Sequence, residues 1–176
     1  MKCSILINSV GGQSIKPYLT FFSNFAKAMG EHIFIDYQKG FSQERCSESH
    51  SVRIGGGYGE ILEGGADVVI ATEQLEGVKS RFYPTSEGGL IVSTKRILPS
   101  SVINGQGEYP KDCMQKCIND CFKVFEYSEN DYLTACLLAL RLLEIDKKTA
   151  TEYLSKDYPD IGEVIERAYS QKFVKA

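Results

Sequence analysis

Residues 3–37 read CSILINSVGGQSIKPYLTFFSNFAKAMGEHIFIDY, and this stretch decides the fold class. CSILIN (3–8) is a short apolar run closed by a turn signal, the mark of a fully buried strand. Behind it, Leu19, Phe22, Phe25, Ala26 and Met29 recur at spacings of three and four, so residues 14–30 predict a helix with one apolar face. Pro17 falls in the first turn, where a missing N–H costs little, and Gly30 supplies a C-terminal stop. HIFIDY (32–37) predicts a second strand. Strand, loop, helix and strand form a crossover unit, and right-handed crossover sets the two strands parallel.

The alternation continues outward. ADVVIAT (66–72) and GGLIVST (88–94) read as buried strands around a short helix, EQLEGVKSRFY (73–83). SHSVRIG (49–55) alternates like a strand, and the glycine-rich stretch 55–65 predicts a hairpin or an irregular segment. Residues 97–110 predict a long connection with a short edge hairpin. KDCMQKCINDC predicts a helix, FKVFEY a strand, and everything from Asn130 onward two or three helices. Without repeat or linker, residues 1–176 make a single domain. Its expected architecture is a three-layer α/β/α fold with a mostly parallel, Rossmann-like sheet and a helical C-terminal part over about 128–176.

A formal charge of −3 and the absence of any basic run argue against a nucleic-acid partner. The longest apolar run, YLTACLLALRLLEI (132–145), is too short to span a bilayer and is broken by Arg141, so it predicts a buried helix and no membrane partner. The opening residues carry no secretory signal. A cytoplasmic location is therefore expected, with the six cysteines as thiols, ligands or core residues.

The loop after the first strand is the first candidate for chemistry. Gly11 and Gly12 allow positive φ and close approach of the backbone to an anion at a helix start. The flanking residues Ser9 and Ser14 break the dinucleotide fingerprint, and no Lys-Ser or Lys-Thr pair completes a P-loop. Cys113, Cys117 and Cys121 fall at i, i+4 and i+8 on one helix stripe. No fourth ligand accompanies them, which favours small core residues over a metal or cluster. His50 lies close in sequence to Cys46, Ser47, Ser49 and Ser51, but adjacency alone gives no triad geometry. His32 opens a strand and reads as structural. Glu73, at the junction of strand and helix, suits either a helix cap or a ligand crevice, with the cap favoured.

Four segments in order carry a family resemblance: ILINSVGGQS, GFSQERCSESHSVRIG, GGADVVIATEQLEGVKSRFYPTSEGGLIVSTKRILPSSVINGQGEYP, and the helical tail from Asn130. Together they resemble the gamma-type domain of 2-oxoacid:ferredoxin oxidoreductases, nearest the beta subunit of indolepyruvate ferredoxin oxidoreductase. That family has a Gly-x-Gly-Gly-Gln-Gly loop after the first strand, a Ser-Gln-Arg-Gly-Gly segment leading to Val-Arg-Ile-Gly, and a Glu-x-x-Glu helix. The resemblance runs from Cys3 to Phe173.

The resemblance implies a small subunit of a complex that oxidatively decarboxylates a 2-oxoacid, reduces ferredoxin and forms acyl-CoA and CO2. Thiamine diphosphate and iron–sulfur clusters would then belong to a large companion chain and CoA to the partner complex, with no cofactor and no metal expected on this chain. Carried over by position, the family motif places Gly11, Gly12, Gln13 and Ser14 in the loop, Ser42 and Gln43 ahead of the second segment, and Glu73 and Glu76 on the short helix. Ser9 and Ser14 replace the outer loop glycines, and Glu44, Arg45 and Cys46 stand where the family has Arg-Gly-Gly. Two other readings stay open: an autonomous CoA- or nucleotide-binding module, and a free-standing enzyme built on serine, Cys46 and His50. A homo-oligomer is compatible with each.

Overall fold

The computed structural model describes residues 1–39 and 46–174. Ser42, Gln43, Glu44 and Arg45 lie outside the described residues. The strands are β1 (Cys3–Val10), β2 (Ile33–Lys39), β3 (Ser47–Ile54), β4 (Ala66–Ala71), β5 (Pro84–Ser93) and β6 (Val124–Tyr127). The helices are α1 (Lys16–Ala28), α2 (Gln74–Ser80), α3 (Ser100–Ile103), α4 (Cys113–Asp120), α5 (Tyr132–Leu142), α6 (Lys147–Leu154) and α7 (Ile161–Ser170).

One six-stranded sheet runs in the order β2-β3-β1-β4-β5-β6. The pairs β1–β4, β4–β5 and β5–β6 are parallel, whereas β3 is antiparallel to both β1 and β2. So β1 and β2 point the same way, as the crossover demands, but β3 is inserted between them. The connection from Lys39 to Ser47 is too short for a parallel crossover, which takes about a dozen residues or more. An antiparallel β3 is what so short a connection permits. The segment 55–65 is irregular, and the 97–110 connection carries α3, entered from Pro99, where a hairpin was expected.

Two apolar clusters sandwich the sheet. One joins Ile5, Ile7, Val68 and Ile70 to Phe21, Phe22 and Phe25 of α1 and to α5, α6 and α7. The other joins Leu6, Val69, Leu90 and Val92 to Cys117 of α4, across the face on which α2 packs. Helices α5 and α6 start in the same way: Asp131 accepts the Thr134 N–H at 3.1 Å, and Asp146 accepts the Thr149 N–H at 2.9 Å. Among the described residues, no helix is long and apolar enough to cross a membrane.

Candidate ligand crevice at the strand carboxyl ends

α1 leaves β1 toward one face and the β2 side, while α2 leaves β4 toward the other face and the β5 side. The boundary between β1 and β4 is thus a topological switch point, where open α/β sheets hold ligands. A cavity of about 480 Å³ opens there. It is lined by Gly11, Gly12, Gln13 and Ser14 of the loop, by Tyr18, Tyr127 and Tyr132, and by Ser93, Lys95 and Ile97.

Gln13 shapes the loop. Its Oε1 accepts the Val10 N–H at 2.9 Å and the Thr72 hydroxyl at 2.7 Å, while its Nε2 donates to the Thr72 carbonyl at 3.2 Å. One amide thereby staples the ends of β1 and β4. Gly12 sits at φ +95°, a left-handed conformation that side chains rarely adopt, with open space beyond its Cα. The Gly11 N–H is already donated to the Cys46 carbonyl at 2.7 Å. The N–H groups of Gly12, Ser14 and Lys16 find no acceptor among the described residues, and α1 starts at Ile15 without a side-chain cap. An uncapped helix start with spare donors carries a partial positive charge. Lys95 also lines the cavity and pairs with Glu129 at 2.8 Å. The Tyr18 and Tyr127 hydroxyls lie 3.0 Å apart, and burial pushes the Tyr18 phenol up to about 12. The whole suits a small anionic group held by backbone donors beside neutral phenols.

Glu73 is not among the residues that line this cavity. It is 1% exposed, and its Oε2 accepts the N–H groups of Leu75 at 2.7 Å and Glu76 at 3.0 Å, which caps α2. Its Oε1 accepts the Ile97 N–H and the Tyr109 hydroxyl. Glu76 binds Lys79 and Ser47. Sequence reasoning missed Lys95 and Ile97, which line the cavity from a connection with no periodic pattern, and Tyr109, which bonds Glu73 from the same connection.

Strand alternation answers the serine–histidine reading. Ser47, Ser49 and Ser51 face α2 and bind Glu76, Asn8 and the Ile61 N–H, whereas His50 shares the α1-facing row with Val52 and Ile54. No serine or cysteine hydrogen-bonds His50 among the described residues. Its Nδ1 is buried without a partner among the described residues, and its ring lies tilted against Tyr37 with centroids 4.6 Å apart. Ser9, where the family has glycine, is wholly buried in β1, and its hydroxyl has no partner among the described residues. Exposed His32 offers its carbonyl to the Gly55 N–H at 2.8 Å. Cys113 and Cys117 are buried, and burial pushes the thiols of Cys117 to about 12 and Cys121 to about 11, so they are protonated core thiols. No group of three or more metal-ligating side chains occurs among the described residues.

Burial holds the His50 imidazole below its ordinary value of 6.5, against the upward pull of the Glu48 carboxylate and the Ile7 carbonyl. The folded chain then binds this proton less readily than the unfolded one, so stability falls as pH drops through 6.5 toward the folded pKa. Urea midpoints measured from pH 7.5 down to 5 should fall more steeply for wild type than for His50→Gln. Parallel curves would show that the imidazole titrates alike in both states.

No family model matches the chain. Over 112 residues, 63% of its length, it is 30% identical to indolepyruvate oxidoreductase subunit IorB of Archaeoglobus fulgidus. Matches to three such subunits cover 56–60% of those relatives' own lengths, so the chain spans little more than half of the curated relatives it matches. Pyruvate oxidoreductase subunit PORC of Thermotoga maritima shares its fold with a TM-score of 0.57 and 14% identity, over 96% of this chain and 93% of that one. The gamma subunit of a keto/oxoacid ferredoxin oxidoreductase from Geobacter sulfurreducens gives 0.55 and 16%, with the same coverages. The resemblance read from the ordered motifs and the expected fold class are thereby borne out.

Proposed function

We propose that this chain, similar to IorB subunits and folded like oxidoreductase gamma subunits, is the small subunit of a 2-oxoacid:ferredoxin oxidoreductase. The observation that carries the reading is the sequence similarity to IorB, over 63% of the chain. In this reading the substrate is an arylpyruvate such as indolepyruvate, and the complex works in the cytoplasm. A large companion chain holds thiamine diphosphate and the iron–sulfur clusters and passes electrons to ferredoxin. The small chain alone is inactive. Its own site is the crevice: Gly11, Gly12, Gln13 and Ser14 would receive a phosphate-bearing group such as that of CoA. Ser42 and Gln43 belong to the same proposed site by motif, and Glu73 serves it without lining the cavity.

Affinity capture of the tagged chain from its native cells tests this. The expected result is a larger polypeptide in stoichiometric amount, bringing thiamine and an iron chromophore, with 2-oxoacid oxidation only in the captured complex. An isolated chain that carries iron in stoichiometric amount, or oxidises a 2-oxoacid unaided, would overturn it.

A further inference from the structure

The connection from Thr94 to Asp112 leads from β5 to α4, and its first residues, Lys95 and Ile97, line the crevice. A buried carboxylate ties it down at two distant points. A helix cap needs only Oε2 of Glu73; Oε1 is turned away from α2 and accepts both the Ile97 N–H at 3.2 Å and the Tyr109 hydroxyl. Gln74 reinforces the near end: its N–H donates to the Lys95 carbonyl at 3.0 Å, and its Oε1 accepts from Arg96 Nε at 2.8 Å. Between Ile97 and Tyr109 the chain makes one short helix, turns at Gly105 with φ +72°, and exposes Ile103. The segment is a strap whose two ends meet on one carboxylate.

We propose that Glu73 and Tyr109 form a clasp that sets the position of this strap and, through Lys95 and Ile97, the width of the crevice. Both are positioning residues, and their relevance to a ligand rests on the crevice reading given above. Burial and the Glu73 carboxylate push the Tyr109 phenol well up, so the hydroxyl remains a donor and the clasp stays closed through the neutral range.

Hydrogen exchange and acetylation of Lys95 by a small amine-reactive ester, both read by mass spectrometry on the full chain, test the clasp. Tyr109→Phe should speed exchange of the amides at 95–98 by about tenfold and Lys95 acetylation by about threefold, with β4 and α5 unchanged. Glu73→Gln should do the same and also loosen the Leu75 and Glu76 amides. If Tyr109→Phe leaves strap and Lys95 as in wild type, Glu73 is a helix cap and the clasp is wrong. An equal rise in β4 and α5 would refute it as well, since the tie would then serve the whole fold. Dialysis of wild type against coenzyme A separates the two readings. Absence of retention would remove the crevice reading, while exchange and acetylation still decide the clasp.

Discussion

Leu137→Asp should abolish folding. Every residue of α5 from Thr134 to Leu140 is buried, and Leu137 has no exposed surface. The helix lies between β4, β5 and β6 on one side and α1 and α7 on the other, so no rotation brings position 137 to water. A buried, unpaired carboxylate there costs several kcal/mol, comparable with the roughly 5–15 kcal/mol that holds a domain together. Leu137→Ala leaves only a cavity and should cost about 2–5 kcal/mol, keeping the chain folded with a lower urea midpoint. Leu140 has the same burial and should behave alike. Circular dichroism of the purified variants reads the outcome. A Leu137→Asp chain that melts like wild type, yet no longer captures its companion, would instead make α5 an interface.

That contrast could be posed from sequence, since YLTACLLALRLLEI is apolar all round, but only the layers around α5 resolve it. Strands β1, β4 and the second half of β5 were legible because both their faces are covered and their apolar runs are nearly continuous, whereas the first half of β5, PTSEG, is polar and carries no such run. The direction of β3 depends on the short connection before it, a length argument that periodicity does not contain. The loop was legible as a bend, because Gly12 needs its left-handed φ. The cap that Glu73 makes on α2 was legible too, from its place at the junction of strand and helix, but the bonds of Gln13 and the second tie of Glu73 were not. Their partners, Thr72, Ile97 and Tyr109, lie about 24 to 59 positions away, and only the folded sheet brings them into reach. A motif fixes which residue stands at a site, whereas its hydrogen bonds decide whether it faces a ligand or holds the wall behind one.

Gly77 shows how far that wall extends. It lies inside α2, where glycine is about 1 kcal/mol worse than alanine, so helix propensity alone favours Gly77→Ala. Packing reverses the sign. A Cβ at Gly77 would lie 2.8 and 3.0 Å from the two Val92 methyls and 3.4 Å from Cys117 Sγ. Val92 is buried in β5 and stiff at χ1, so it cannot turn aside, and α2 must move. Gly77→Ala should cost about 1–3 kcal/mol by overpacking. Val92→Ala removes both methyls and should cost roughly as much by leaving a cavity. In the double variant the new methyl fills part of that cavity, so its cost should fall short of the sum by about 1–2 kcal/mol. Urea unfolding of the four proteins measures this coupling, and strict additivity would mean that α2 had room to begin with. Because Glu73 caps α2, the Gly77→Ala shift should also reach the strap, and faster exchange at the Ile97 amide should disappear again when Val92→Ala restores the space.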